Sequence, residues 1–341
     1  TDSNSAVQAL ALAATMSDTF AVTSSDGTSQ TITITITGVN DAATFGGDTT
    51  GGATEDTSDA SGTATVTDTD TSQSTFTAVS TETASVSGYG TYTITSGGVW
   101  AYTLTDSNSA VQALALAATM SDTFAVTSSD GTSQTITITI TGVDDTSVWA
   151  GTTSGSLTED DSTTTATGPL TISDADDGES PTITDVSSTA GANGYGNFVM
   201  ASGTWTYTID SSATDALDAG DSVTDTYAFA ASDLTTQTVT ITIAGANDAP
   251  VFGDGSTASA SVEEGATTVA TYAATDVDTD AVLTYSVGGT DSALFSVVST
   301  TGALSFSTAP DYDSGTACAA GNSCVVVLTA SDTVDSDTIT V

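Results

Sequence analysis

The chain contains no lysine, no arginine and no histidine. That absence removes whole classes of chemistry. Nucleic-acid phosphates would meet no cation, so nucleic acid is excluded as a partner. There is no lysine for a phosphate loop or a Schiff base, no arginine finger, and no histidine for a triad or a zinc shell. Acid–base catalysis by side chains is left to carboxylates and tyrosines. Proline is scarce at four, cysteine scarcer at two, and only six of the acids are glutamate. No signal-like segment and no apolar run of about 20 residues is present, so no membrane span is expected.

What remains is acidic and hydroxyl-rich. Of 341 residues, 43 are Asp or Glu and 121 are Ser or Thr, giving a formal charge of −43. The hydrophobic fraction of 38% is too high for a disordered acidic tail. Two carboxylates about 4 Å apart repel by about 4 kcal/mol at an effective dielectric near 20. With no protein cation, the counter-charge must come from solution. Clustered carboxylates are therefore candidate sites for hard cations, with a merely solvated acidic surface as the plain alternative.

A repeat governs the chain. Residues Thr1–Val39 recur without change at Thr105–Val143. Diverged motifs continue the series. The GVND ending at Asp41 returns as GVDD at Asp145 and GAND at Asp248. TEDT at Glu55 returns as TEDD at Glu159, and DTD at Asp68 and Asp70 as DAD at Asp174 and Asp176, then DVD at Asp276 and Asp278. Four units follow: 1–41 as the second half of a repeat, 42–145, 146–248, and a more divergent 249–341. The regularity points to a modular array rather than a catalytic domain. A catalytic pair of acids is needed once, whereas these acids recur at every repeat end, so no enzyme activity is expected.

The local pattern is β. Ile32, Ile34 and Ile36 alternate with threonine, the signature of a half-buried strand. Gly90–Ile94, Val99–Leu104 and Thr204–Ile209 read the same way, with glycine turns between strands. About seven short strands per 100 residues predict all-β, antiparallel sandwiches. At most a turn or two of helix is expected in Ser5–Met16. The recurring acids read as loop residues, off the strand faces. Trp100 and Trp205 sit in matching strands and read as core; Trp149, near a repeat end, reads as more exposed.

These motifs resemble the VCBS repeat of bacterial surface proteins. The resemblance rests on the TED, the D-x-D, LTDSNSAVQAL, the SDG and the closing ITITITG-(V/A)-(N/D)-D, and covers residues 1–248. The last unit resembles a cadherin-type domain through VEEGATTVATYAATDVDTD, TGALSFSTAPDYD and VVLTASD. The resemblance implies tandem cadherin-like or immunoglobulin-like sandwiches forming an elongated rod outside a bacterial cell. It implies an adhesin or filament with Ca2+ held between successive domains. Carried over residue by residue, it names Asp2, Asn40, Asp41, Asp68, Asp70 and Asp130 at the 41/42 junction. It names Glu55, Asp106, Asp144, Asp145, Asp174, Asp176 and Asp233 at 145/146, and Glu159, Asp210, Asn247, Asp248, Asp276, Asp278 and Asp332 at 248/249. Glu264, Asp311 and Asp313 would serve a junction after Val341. Gly245 replaces the usual first acid of the cadherin linker, which implies fewer ions at 248/249.

The implied partners are calcium and either further copies of the chain, head to tail, or a ligand on another cell's surface, such as a glycan. Cys318 and Cys324 flank a Gly-Asn turn; a local disulfide in an oxidising compartment is expected, two free thiols being the alternative. Half a sandwich at residues 1–41 would expose its inner face. Either a longer polypeptide completes it, or strands of a neighbouring subunit do.

Overall fold

The structure, a computed structural model, describes residues 3–313, 318, 321 and 323–341. It is about 48% strand and 3% helix. The alternating Ile-Thr segments are strands at Ser29–Thr37, Ser133–Thr141 and Thr236–Ala244. No helix among the described residues is long and apolar enough to cross a membrane.

The chain divides into two compact units. One comprises Thr1–Val148 with Ser173–Ser180, the other Trp149–Ile172 with Pro181–Val341. In the first unit, a five-stranded sheet runs Thr44–Gly47, Ala60–Thr67, Val99–Leu104, Gly90–Ile94, Val79–Ala84. A three-stranded sheet runs Thr50–Thr54, Ser133–Thr141, Thr119–Thr127, its first pair parallel and its second antiparallel. Period-2 alternation sends Ile136, Ile138 and Ile140 inward to meet Trp100, Tyr102 and Phe124 in one buried cluster. The Trp100 Nε1–H donates to the Asp48 carbonyl at 2.8 Å, so the ring is buried with its polar atom satisfied.

The second unit holds two such cores. Trp205, Tyr207, Phe198, Phe229, Ile241 and Ile243 build one, between sheets of five and three strands. Trp205 repeats the Trp100 contact, donating to the Thr152 carbonyl at 2.7 Å. Trp149 packs partly buried against this core and donates to Thr235 Oγ1 at 3.0 Å, so its ring is less exposed than the sequence suggested. Tyr285, Leu304, Leu328 and Ile339 belong to the other core. Cys318 and Cys324 are joined as a disulfide beside it.

The first 41 residues differ. Their strands Thr15–Thr23 and Ser29–Thr37 form a two-stranded sheet alone. Ser5–Gln8 forms one helical turn, capped by the Asn4 side chain.

One expectation fails. Not all recurring acids lie in loops: Asp122 and Asp225 sit inside the strands Thr119–Thr127 and Ser222–Ala230, and both are buried. Asp122 accepts from Ser85 Oγ, from the Ser87, Tyr89 and Thr123 N–H groups, and from the Tyr102 hydroxyl at 2.8 Å. Burial raises its pKa, but these donors outweigh burial and leave it below the usual carboxylate value. Asp225 is held alike by Asn193 N–H, Tyr195 N–H, Thr226 N–H and the Tyr207 hydroxyl.

Candidate metal centres

The repeat-end acids form one backbone arrangement three times over. The N–H groups of Asp41, Asp145 and Asp248 donate to one carboxylate oxygen of Asp70, Asp176 and Asp278, each at 3.0 Å. The N–H groups of Asp70, Asp176 and Asp278 donate in turn to Asp68, Asp174 and Asp276, at 2.8, 3.0 and 3.0 Å. The D-x-D spacing thus closes a tight turn that lays its second carboxylate against the closing strand's exit.

That second carboxylate is buried. Asp70, Asp176 and Asp278 are 2, 3 and 8% exposed. Each spends one oxygen on the linker N–H and leaves the other, Oδ1, with no hydrogen-bond partner. Oxygens of Asp68, Asp145, Asp248, Asp276 and Glu159 are also buried and unpartnered. An unpaired buried polar group costs free energy, and an unpaired carboxylate costs most. In a chain without cations this recurring set fits a hard cation, which takes six to eight oxygens at about 2.3–2.6 Å.

The electrostatics agree. Burial and neighbouring acids push the Asp145 carboxyl above the usual range. Burial does the same for Glu55, Glu159 and Asp278 despite a backbone donor to each. Asp248 is pushed up to about 6, by burial first and then by Asp160 and Asp278.

The 41/42 centre gathers Asn40, Asp41, Asp68, Asp70 and Asp130. The Asn40 side chain donates to the Asp41 carbonyl at 3.0 Å and to Asp130 at 3.2 Å. Asp130 is held below the usual carboxylate range by Ser128 and Thr132. Gln73 adds a buried, unpartnered carbonyl oxygen that the sequence reading missed. Asp2 lies outside the described residues.

The 145/146 centre gathers Glu55, Asp144, Asp145, Asp174 and Asp176. Glu55 follows the strand Thr50–Thr54 and is buried; it accepts from Val143 N–H at 3.2 Å and Gln112 Nε2 at 3.1 Å. Asp144, Asp176 and Glu179 bring carboxylate oxygens within 4.8 Å of one another. Glu179 was not foreseen. Asp106 is exposed in the turn after Val99–Leu104. Asp233 lies in the second unit, where its carboxylate accepts from Thr235 N–H at 3.0 Å.

At 248/249, Asn247 donates to the Asp248 carbonyl at 2.9 Å, to Asp332 at 3.0 Å and to Asp335 at 3.1 Å. Glu159 accepts from Ala246 N–H at 3.0 Å. A further acid trio, Asp160, Asp215 and Asp248, again lies within 4.8 Å. Asp210, named from the sequence, instead caps the short helix Ser211–Thr214 through Ser212 N–H at 3.1 Å.

Asp215 is the structural counterpart of Gln112. Both stand two residues before a leucine whose carbonyl crowds a strand-end glycine, Leu114 against Gly142 and Leu217 against Gly245. Gln112 donates to Glu55 and Asp56, where Asp215 can only repel Asp160 and Asp248. A one-residue deletion in the third repeat hides this equivalence from a fixed offset. Asp311 accepts from Asp313 N–H at 3.1 Å, and Glu264, Asp311 and Asp313 are all exposed.

Residues 40–142 match the family model of the bacterial cadherin-like domain. Among solved structures, mouse cadherin-23 EC22-24 is similar at 16% identity and TM-score 0.44, covering 88% of this chain and 98% of that one. Human CDH23 EC21-23 gives 16% identity and TM-score 0.47, with 88% and 99% covered. Drosophila N-cadherin EC1-4 gives 15% and 0.38, with 98% and 84% covered. No curated protein matches the chain.

Proposed function

We propose that the chain is a calcium-stiffened array of cadherin-like repeats, a structural part of an extracellular adhesin or filament at a bacterial surface. The observation that carries this is the buried Oδ1 of Asp70, Asp176 and Asp278, unpartnered at three successive junctions. Three such orphans in register, in a chain with no cationic side chain, support a bound cation at each junction. The match of residues 40–142 to the bacterial cadherin-like domain supports the same reading. A calcium ion there would take oxygens from the D-x-D, the linker acid and, at 145/146 and 248/249, the Glu that follows the strand Thr50–Thr54 or Ser154–Thr158.

Calcium would act by bridging the closing strand of one repeat to the D-x-D turn of the next. Binding only the folded junction stabilises it by mass action. The test is a calorimetric calcium titration of the full chain at pH 7, against magnesium as control. Saturable calcium uptake, reduced in Asp176→Asn and Asp278→Asn, is expected. No calcium heat, or heat unchanged in both variants, overturns the reading.

A further inference from the structure

The 39 residues shared by Thr1–Val39 and Thr105–Val143 sit in two environments. In the second copy Phe124 and Ile138 are 1 and 0% exposed; their counterparts Phe20 and Ile34 are 52 and 49% exposed. Val22 and Ile32 are exposed in the same way. The outer edge of Ser133–Thr141 is paired in parallel with Thr50–Thr54, whereas among the described residues Ser29–Thr37 is paired only with Thr15–Thr23. Asp122 takes five donors, but of these only the adjacent N–H has a counterpart at Asp18, from Thr19 at 2.8 Å.

We infer that the exposed face of the hairpin Thr15–Thr37 is an acceptor for one kind of occupant: a further segment of the class of residues 42–104. The chemistry of that occupant can be read from what covers the second copy. Tyr92 stacks on Phe124 at 4.3 Å, and Trp100 meets it edge-on at 5.9 Å. Ser85 and Tyr102 supply hydroxyls to the buried aspartate. The parallel strand must carry glycine at its second position, because a Cβ on Gly51 would lie 2.6 Å from the Trp100 ring and 3.1 Å from Ile138. An unrelated apolar peptide meets none of these demands.

Stoichiometry separates this occupant from a second copy of the chain. Residues 1–341 hold two of the 39-residue copies and one segment 42–104, which Thr105–Val143 already packs against. Exchange between two copies of residues 1–341 would free one acceptor for each it fills, with no net burial. An additional segment buries the whole face, including a free strand edge of the kind native proteins cover. The inference is independent of calcium.

The test adds a second copy of residues 42–104, either fused ahead of Thr1, so that its Leu104 runs into Thr1 as Leu104 runs into Thr105, or refolded in trans with the full chain. Ala21→Ser and Thr35→Ser, at positions whose counterparts Ala125 and Thr139 face solvent, give the first hairpin peptide masses distinct from the second. Hydrogen-exchange mass spectrometry should then show amides 15–37 slowed by roughly a hundredfold or more. Ile34→Asp, exposed in the free chain, should abolish that slowing and leave the other sandwiches protected as before. Unchanged exchange in both fusion and mixture overturns the inference. So does slowing in the unmodified chain that tracks dimer formation in sedimentation, since a second copy would then be the occupant.

Discussion

Two carboxylates of the first unit end differently: Asp122 is fully buried, and Asp145 is half-buried with one oxygen out of reach of water. Asp122 lies mid-strand and is surrounded by five donors, so burial leaves it ionised and satisfied. Asp145 lies at a strand exit, keeps one oxygen unpartnered, and has Asp144, Asp174 and Asp176 around it. Burial alone therefore does not mark a binding site. Asp122 is a pin that ties the loop 85–89 to the opposite sheet, whereas Asp145 sits among like charges with one oxygen unpartnered. In the second unit Asp225 is likewise surrounded by donors, while Asp248 keeps an unpartnered oxygen beside Asp160 and Asp278.

Removing the pin should have the largest effect. Asp122→Ala leaves the Tyr102 hydroxyl and two loop N–H groups without an acceptor; it should destabilise its sandwich by about 3–5 kcal/mol in urea unfolding, with or without calcium. Asp176→Ala should break the contrast in the opposite sense. In EDTA it should be neutral or stabilising, because it removes an uncompensated charge. In calcium it should lose the ion's contribution, about 2.7 kcal/mol at a hundredfold excess over Kd.

Acidity should separate the two classes next. Asp248 has a folded value near 6 against 3.8 unfolded, so between those values the folded state holds more protons. Without calcium, the stability of the 248/249 junction should fall as pH rises from about 4 to 7, the reverse of a satisfied carboxylate such as Asp122. Thermal melts in EDTA across that window check the sign, with Asp248→Asn expected to flatten the slope. The smallest effect should come from exchanging Gln112 and Asp215. Gln112→Asp should tighten calcium at 145/146 by about threefold to tenfold, and Asp215→Gln should weaken it at 248/249, because ligand charge count tunes affinity.

Much of this was legible in the sequence. Ile-Thr alternation set the inner faces of Ser133–Thr141 and Thr236–Ala244, since period 2 leaves no other assignment once one face is buried. The D-x-D turn was legible in its recurring spacing, while the linker acids were named as ligands only through the family resemblance. Asp122 and Asp225 were not legible, because an acid in a strand reads as outward until its donors, four of Asp122's five lying 20 to 37 residues away, are known. Asp160, Asp215, Glu179 and Gln73 were missed for a related reason. Asp160 and Asp215 meet Asp248 only when distant loops of one repeat fold together, and Glu179 meets Asp144 of the repeat before; a one-residue deletion conceals one equivalence. An exposed inner face was expected of the half repeat at residues 1–41, and Ile34 lies on it; Phe20 beside it was not named.

Thermal unfolding of the full chain at pH 7 asks whether the junction orphans are calcium ligands. Millimolar calcium should raise the melting temperature well above that in EDTA, magnesium should not substitute, and Asp70→Asn, Asp176→Asn and Asp278→Asn together should remove the difference. Equal melting temperatures in calcium and EDTA, or a calcium shift that survives the triple variant, would contradict it.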